Sequence, residues 1–367
     1  MDLRDRIAIR ATVRAPAGHR LALVLDPRFA GGTSAAAAAE IRALAPIVDL
    51  EVVALETRMF SGRRVHPAIE AALADHGLGL TWQPPVVHAD TIVLHNPSCL
   101  RFDAVLGVRL SCVDAVVVTH ENFLRPNGSE AFDVAGCLGL LETALVCGRR
   151  RLAPVSAYNR RTVADWLARA GREWELFATD WSNIVEAELI PPTASPRDRR
   201  GRHSRPGFEK FPALDVMRAH FPPHAEACVI LGGDALLLEP AEIPARWDVR
   251  PFGASPVAAF LREIDFFVYF TNPLWSESFG RVVAEAIAAG KVVITDPVTA
   301  TSFPEAVIPS HGDDVDRIVT ELVGAPERYG DLVRRAQSRL AHLAPHAFVA
   351  RVLPHLALGG AVPRALV

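Results

Sequence analysis

The feature that most constrains this chain is a rhythm. Short, continuous runs of aliphatic and β-branched residues alternate with helical stretches: "RLALVLDP" (20–27), "DLEVVALE" (49–56), "ADTIVLHNP" (89–97), "VDAVVVTHE" (113–121) and "LAPVSAYN" (152–159), each ending in polar residues. A strand that is apolar along its whole length has both faces covered, and such strands separated by helices form a parallel sheet with helices on either side. The loop "RFAGGTS" and the helix "AAAAAEIRALAP" join the first two strands. A proline- and arginine-rich stretch, "LIPPTASPRDRRGRHSRPG" (189–207), reads as a linker with a loop beyond it. The rhythm then restarts with strands "ACVILGGD" (227–234), "WDVRPFG" (247–253), "DFFVYFTNP" (265–273) and "KVVITDP" (291–297), and with the helix "SPVAAFLREI" (255–264). The tail "ERYGDLVRRAQSRLAHLAPHAFVARVLPHLA" reads as two helices split at Pro345. The expectation is an α/β protein of two Rossmann-like domains, with a ligand cleft at the carboxyl ends of the strands.

Bulk properties narrow the function. The 367 residues suit two domains better than one. A balance of 39 basic against 42 acidic residues lacks the excess of positive charge that nucleic-acid binding requires. Five scattered cysteines with no C-x-x-C pair read as reduced thiols of a cytoplasmic protein, without a disulfide frame or a zinc site. The N-terminus "MDLRDRIAIRATVRAP" carries charges where a signal peptide needs an apolar run, and no segment reaches the roughly 18 apolar residues of a spanning helix. Only Lys210 and Lys291 are lysines, which singles out both.

The stretch "SESFGRVVAEAIAAG" (276–290) carries the chemistry. Val282, Val283, Ala284, Ala286, Ile287, Ala288 and Ala289 leave the helix almost no polar face, yet Glu285 stands near its middle and Glu277 just before it. A carboxylate in such a helix needs donors, because burying it alone costs several kcal/mol. The competing reading pairs Glu285 with a buried arginine and makes Glu277 a first-turn acid. Ser278, Phe279 and Gly280 precede the helix, where free N–H groups and the dipole favour phosphate oxygens.

This block resembles the E-x7-E signature of retaining glycosyltransferases of the GT-B fold, most closely glycosyltransferase family 4. "GRHSRPGFEK" (201–210) resembles the family's G-R…K segment, "VILGGD" its following strand and glycine turn, and "PFGASPVAAFLREIDFFVYFTNP" the approach to the signature. "FAGGTS" and "VVVTHE" resemble the N-terminal glycine loop and the strand ending in histidine. The match is dense in the second half and thin in the first.

The resemblance implies a GT-B fold with an acceptor-binding domain at 1–187, a nucleotide-sugar-binding domain at 188–345, and a terminal helix at 346–367 crossing back to the first domain. It implies transfer of a hexose-type sugar from a UDP- or GDP-sugar to a hydroxyl acceptor (a glycan, lipid-linked molecule, protein or small molecule), with retention of anomeric configuration, in surface glycan or glycoconjugate synthesis. Glu285 would bind ribose hydroxyls, Glu277 and His120 the sugar, and Arg202 and Lys210 the diphosphate, with Arg205 sharing that role because this chain spaces the basic pair widely. Fixed cations of that kind lower the barrier to a leaving diphosphate. Gly31 and Gly32, with Thr33 and Ser34, would present N–H groups to a phosphate or an acceptor, or serve simply as a turn and helix cap. His95 is placed at a strand end as His120 is, and rivals it. Neither a cofactor nor a metal is expected, since no D-x-D dipeptide stands ready to hold a divalent ion. "NRRTVADWLARAGREW" (159–174) is a basic amphipathic helix that either packs on the first sheet or meets the inner membrane face. The alternative function is a non-catalytic GT-B subunit serving another transferase.

Overall fold

In the computed structural model, residues 18–29, 31–238 and 242–356 are described; the charged N-terminal stretch 1–16 and the last part of the expected terminal helix, 357–367, lie outside them. The chain divides into two compact units: the first runs to Glu186 and takes in the chain again from Leu343, and the second spans Ala187–His342.

The first unit holds a seven-stranded sheet, built from β1 (Arg20–Leu25), β2 (Asp49–Ala54), β3 (Leu80–Trp82), β4 (Val86–His95), β5 (Arg109–Thr119), β6 (Leu145–Pro154) and β7 (Glu175–Leu176). Its order is β3-β2-β1-β4-β5-β6-β7 and every pairing is parallel. The apolar runs are its interior: Val24, Ile92, Val117 and Leu152 share one core with Phe123, Leu138 and Trp166 from the covering segments. Helix Gly32–Leu44 follows β1, and helix Pro345–Val352 lies against it. Phe348 meets Trp181 edge to face at 5.4 Å between ring centres, and Arg151 Nη1 donates to the His355 carbonyl at 2.9 Å, so the end of the described chain is bound into this unit. Helix Ala157–Ala170 has its apolar face, Val163 and Trp166, buried in the same core, and Trp174 beyond it is buried too, so these residues are not available to a membrane surface. No helix of the described residues is long and apolar enough to cross a membrane.

The second unit repeats the plan with six parallel strands: β8 (Arg199–His203), β9 (Ala227–Leu231), β10 (Trp247–Arg250), β11 (Phe266–Tyr269), β12 (Val292–Thr295) and β13 (Ile308–Pro309), in the order β10-β9-β8-β11-β12-β13. Counted from its own first strand, that order is 3-2-1-4-5-6, the doubly wound arrangement in which ligands bind where the order reverses. Here the reversal lies between β8 and β11.

One expectation is corrected. "RRGRH", assigned to a linker and loop, is β8, a central strand of this sheet. Three charged residues in five hide the strand from any hydropathy pattern, and burial becomes tolerable through partners both near and far in sequence. Arg200 is fully buried and donates to Asp198, to Asp316 and to the His220 carbonyl. Gly201 is required by space: a Cβ there would stand 2.7 Å from Ile264 Cγ2 and 2.9 Å from the Val229 carbonyl oxygen. The expected strand "LAPVSAYN" also ends early, at Pro154, because Ser156 caps helix Ala157–Ala170 by accepting from the Asn159 N–H.

Candidate functional site

The reversal point of the second unit gathers the chemistry. Arg202 lies on β8 and is 1% exposed. Its guanidinium donates to the Phe270 carbonyl at 2.9 Å and to the Lys210 carbonyl, and it lies over the rings of Phe211 (4.4 Å) and Tyr269 (5.1 Å). Its Nε has no hydrogen-bond partner, and among the described residues no carboxylate forms an ion pair with it. A buried guanidinium with no ion-paired carboxylate is an expensive arrangement that an anion would relieve. Burial lowers Arg202 to about 10, partly opposed by Tyr269 and Glu277.

Arg202 also fixes the next element. By holding the Lys210 carbonyl it anchors the short turn Phe208–Lys210, from which the Lys210 ammonium reaches the Glu277 carboxylate. The Tyr269 hydroxyl, at the end of β11, donates to the same carboxylate oxygen. Both partners of the ion pair are largely shielded, with side chains 17% and 12% exposed. Burial pushes the Glu277 carboxyl up, but Lys210 and the Tyr269 hydroxyl outweigh it and hold the group below the usual carboxylate range. Burial and the adjacent carboxylate push the Tyr269 phenol well up. Arg202, Lys210 and Glu277, 75 positions apart at the extremes in sequence, are therefore one cluster, to which Tyr269 belongs although no sequence signal marked it.

The other expected residues divide. Arg205 is paired with Glu209 at 2.9 Å, its side chain 46% exposed. Gly280 caps helix Arg281–Ala288 with φ +87°, a conformation L-residues avoid, and an added Cβ would meet Phe303 at 3.2 Å. Phe279 is buried against the Phe303 ring, and Ser278 precedes it. Glu285, one turn into the helix, accepts from Arg281 Nε at 3.0 Å, with His203 Nε2 at 3.7 Å from its other oxygen. An arginine from its own helix thus holds Glu285. Burial still pushes its carboxyl above the ordinary value, with Arg281 opposing. His203 joins the Glu285 position to Arg202 through β8; burial and the adjacent Arg202 lower it to about 4, so it is neutral.

His120, Gly31 and Gly32 belong to the first unit. His120 follows β5, and its Nε2 is 2.8 Å from Nδ1 of His95 at the end of β4, so the two histidines are bonded to one another. Burial and His95 push His120 well below the ordinary imidazole value. Gly31 caps helix Gly32–Leu44 without a side-chain cap; the Ser34 hydroxyl turns back to the Phe29 carbonyl at 2.7 Å, leaving that first turn uncapped by side chains. Among the described residues, Asp198, His224 and Asp316 bring three metal-ligand atoms within 4.8 Å of one another, but Arg200 Nη2 already donates to both carboxylates, at 2.9 and 2.6 Å.

No protein-family model matches the chain. Its similarity to an uncharacterised 42.6 kDa protein in the cps region of Klebsiella pneumoniae is 41% identity over 63 residues, spanning 17% of this chain and 16% of that protein's length. The three-dimensional likenesses are broader. Anabaena HepE in complex with UDP and glucose superposes with a TM-score of 0.64 over 92% of this chain and 99% of its own, at 13% identity. An α-glucosyltransferase bound to UDP and a 13-mer DNA gives 0.59 over 91% and 98%, at 9% identity. OtsA in its apo form gives 0.56 over 94% and 100%, at 12% identity. The fold is GT-B. At these identities the likeness speaks for the architecture alone, and the assignment of residues rests on the geometry above.

Proposed function

We propose that the chain is a retaining glycosyltransferase that moves a hexose-type sugar from a UDP-sugar to a hydroxyl acceptor. The observation that carries this reading is the cluster at the β8/β11 reversal. An arginine without an ion-paired carboxylate, Arg202, lies beside Lys210, Glu277 and Tyr269 there, ahead of a glycine-capped helix N-terminus whose dipole favours phosphate oxygens. Neighbours of the same fold, HepE among them, were solved with UDP or UDP-glucose, which favours uridine over guanosine as the donor base.

In this reading Lys210 and Arg202 neutralise the diphosphate as it leaves. Lys210 exchanges its contact with Glu277 for phosphate oxygens, and Glu277 turns to the donor sugar. Glu285 releases Arg281 and accepts from the two ribose hydroxyls, a pair of donors suited to one carboxylate. Arg205 gives up Glu209 and joins the phosphate-binding set, with Ser278, Phe279 and Gly280 supplying main-chain contacts. His120 contacts the sugar, and Gly31 and Gly32 the phosphate or the acceptor. The residues carry the charge stabilisation themselves, so no cofactor or divalent metal is invoked. The product belongs to a surface glycan or glycoconjugate made on the cytoplasmic side.

The test is release of nucleoside diphosphate from UDP-glucose, UDP-N-acetylglucosamine, UDP-galactose and GDP-mannose across a pool of hydroxyl acceptors. Product is then followed by proton NMR from the first turnover. Accumulation of product with the donor's own α-configuration supports the reading; a β-linked first product rejects retention, and no release from any donor rejects transfer.

A further inference from the structure

Glu40 sits in the middle of the alanine-rich helix Gly32–Leu44 and is fully buried. One of its oxygens is 3.2 Å from Nε2 of His95, whose other ring nitrogen, Nδ1, is 2.8 Å from Nε2 of His120. Three groups, one from a helix, one from the end of β4 and one just past β5, therefore stand in line. Strand pairing produces the alignment: His95 is opposite Val118 in the parallel β4/β5 register, and His120 is two residues beyond Val118, so on the same face. Neither Glu40 oxygen, nor His95 Nε2, has a hydrogen-bond partner among the described residues, and the two groups face each other at ion-pair distance.

We propose that Glu40 and His95 set the ring tautomer of His120, leaving its Nδ1 as an acceptor for a hydroxyl of the sugar donor or of the acceptor substrate. A neutral imidazole carries one N–H, and the bond made by one nitrogen decides the state of the other. Facing a carboxylate oxygen, which accepts, His95 is best placed with its proton on Nε2. His95 Nδ1 is then a lone pair and takes its hydrogen bond from the His120 Nε2–H. His120 Nδ1 is left unprotonated, and among the described residues it has no hydrogen-bond partner. The low proton affinity that burial and His95 impose on His120 keeps its ring neutral in this state. Glu40 and His95 are positioning residues, acting through His120. The hydroxyl ligand rests on the proposed glycosyl transfer; the tautomer does not.

The experiment uses the full chain labelled with 15N-histidine. Two-bond proton–nitrogen spectra report which ring nitrogen carries the proton, with signals assigned through His120→Asn and His95→Asn. Both rings are expected as the neutral Nε2–H form in the wild type near neutral pH, and the His120 preference is expected to weaken to a mixture in Glu40→Gln. A His120 ring protonated at Nδ1 in the wild type would overturn the proposal, as would an unchanged tautomer in a folded Glu40→Gln. The wild-type spectrum decides even if that variant does not fold. Calorimetry supplies the functional arm: Glu40→Gln is expected to bind UDP as the wild type does and UDP-glucose about two- to tenfold more weakly, the span of one hydrogen bond. Equal loss for both ligands would mark a structural role. A wild type that binds neither would reject the glycosyl-donor reading, while the spectra still decide the tautomer.

Discussion

Replacing Lys210 by methionine keeps most of the side chain's apolar stem and removes only its charge, leaving Glu277 beside Tyr269 with its principal counter-ion gone. Two unit charges at 4 Å attract by about 4 kcal/mol at an effective dielectric of about 20. Desolvation offsets part of that, yet removing one partner of a shielded pair typically costs about 3–5 kcal/mol because the other charge is stranded. The side chains here retain 17% and 12% exposure, and the Tyr269 hydroxyl still donates to the carboxylate. The expected loss is therefore at the lower end, about 2–3 kcal/mol near pH 7.5.

The pH dependence separates charge from packing. In the wild type, Glu277 is held below its ordinary value, so its stabilising effect is present above the unfolded carboxyl value and is lost only as pH falls through the lower folded one. Without Lys210, burial dominates and raises the folded value above the unfolded one, so the variant gains stability as pH falls through it. Urea unfolding followed by tryptophan fluorescence, with Trp247 and Trp275 reporting on the second unit, should show the deficit shrinking between pH 7.5 and pH 5. Adding Glu277→Gln should recover most of it at pH 7.5. A deficit identical at both pH values, or below about 1 kcal/mol at pH 7.5, would refute the electrostatic argument.

Other perturbations test separate parts of the molecule. Gly201→Ala forces a methyl group to within 2.7 Å of Ile264 Cγ2 and 2.9 Å of a carbonyl oxygen, and should cost about 3 kcal/mol or more in thermal unfolding; a neutral result would place β8 wrongly. Arg151→Lys loses the paired bonds to buried Asp114 and the bond to the His355 carbonyl, and should destabilise by about 2 kcal/mol and speed protease cleavage near the C-terminus. UDP affinity should fall as pH drops through the raised Glu285 carboxyl value, since protonation removes an acceptor from the ribose site, and Glu285→Gln should flatten that dependence in calorimetry.

How much of this was legible beforehand depended on what each residue packs against. β1, β4 and β5 each carry a continuous apolar run (Leu21 to Leu25, Ile92 to Leu94 and Ala115 to Val118), so their sequences declare buried parallel strands. β8 does not, because Arg200 and Arg202 are buried through Asp198, three carbonyl groups and Asp316, the last 116 positions from Arg200. Tyr269 was hidden in the aromatic run "DFFVYF", where alternation alone cannot say which ring carries a hydroxyl to an acid. Nothing in the sequence singles out Glu40 at the end of the alanine run, and only the fold brings it to His95. The two histidines read as rivals because each ends a strand; neighbouring strands with matching register make them partners instead. Glu285 was read as an acid needing a donor, and in this structure Arg281, one turn away on the same helix, donates to it.

The most direct measurement of the central claim is a thermal-shift titration of the wild type, Lys210→Met and Glu285→Ala with UDP, GDP, ADP and UDP-glucose. A ligand at 100 times its dissociation constant adds about 2.7 kcal/mol to the folded state, enough to raise the melting temperature visibly. The account predicts that UDP and UDP-glucose stabilise the wild type and lose most of that effect in both variants. A wild type that no nucleotide stabilises, or variants that respond as the wild type does, would contradict it.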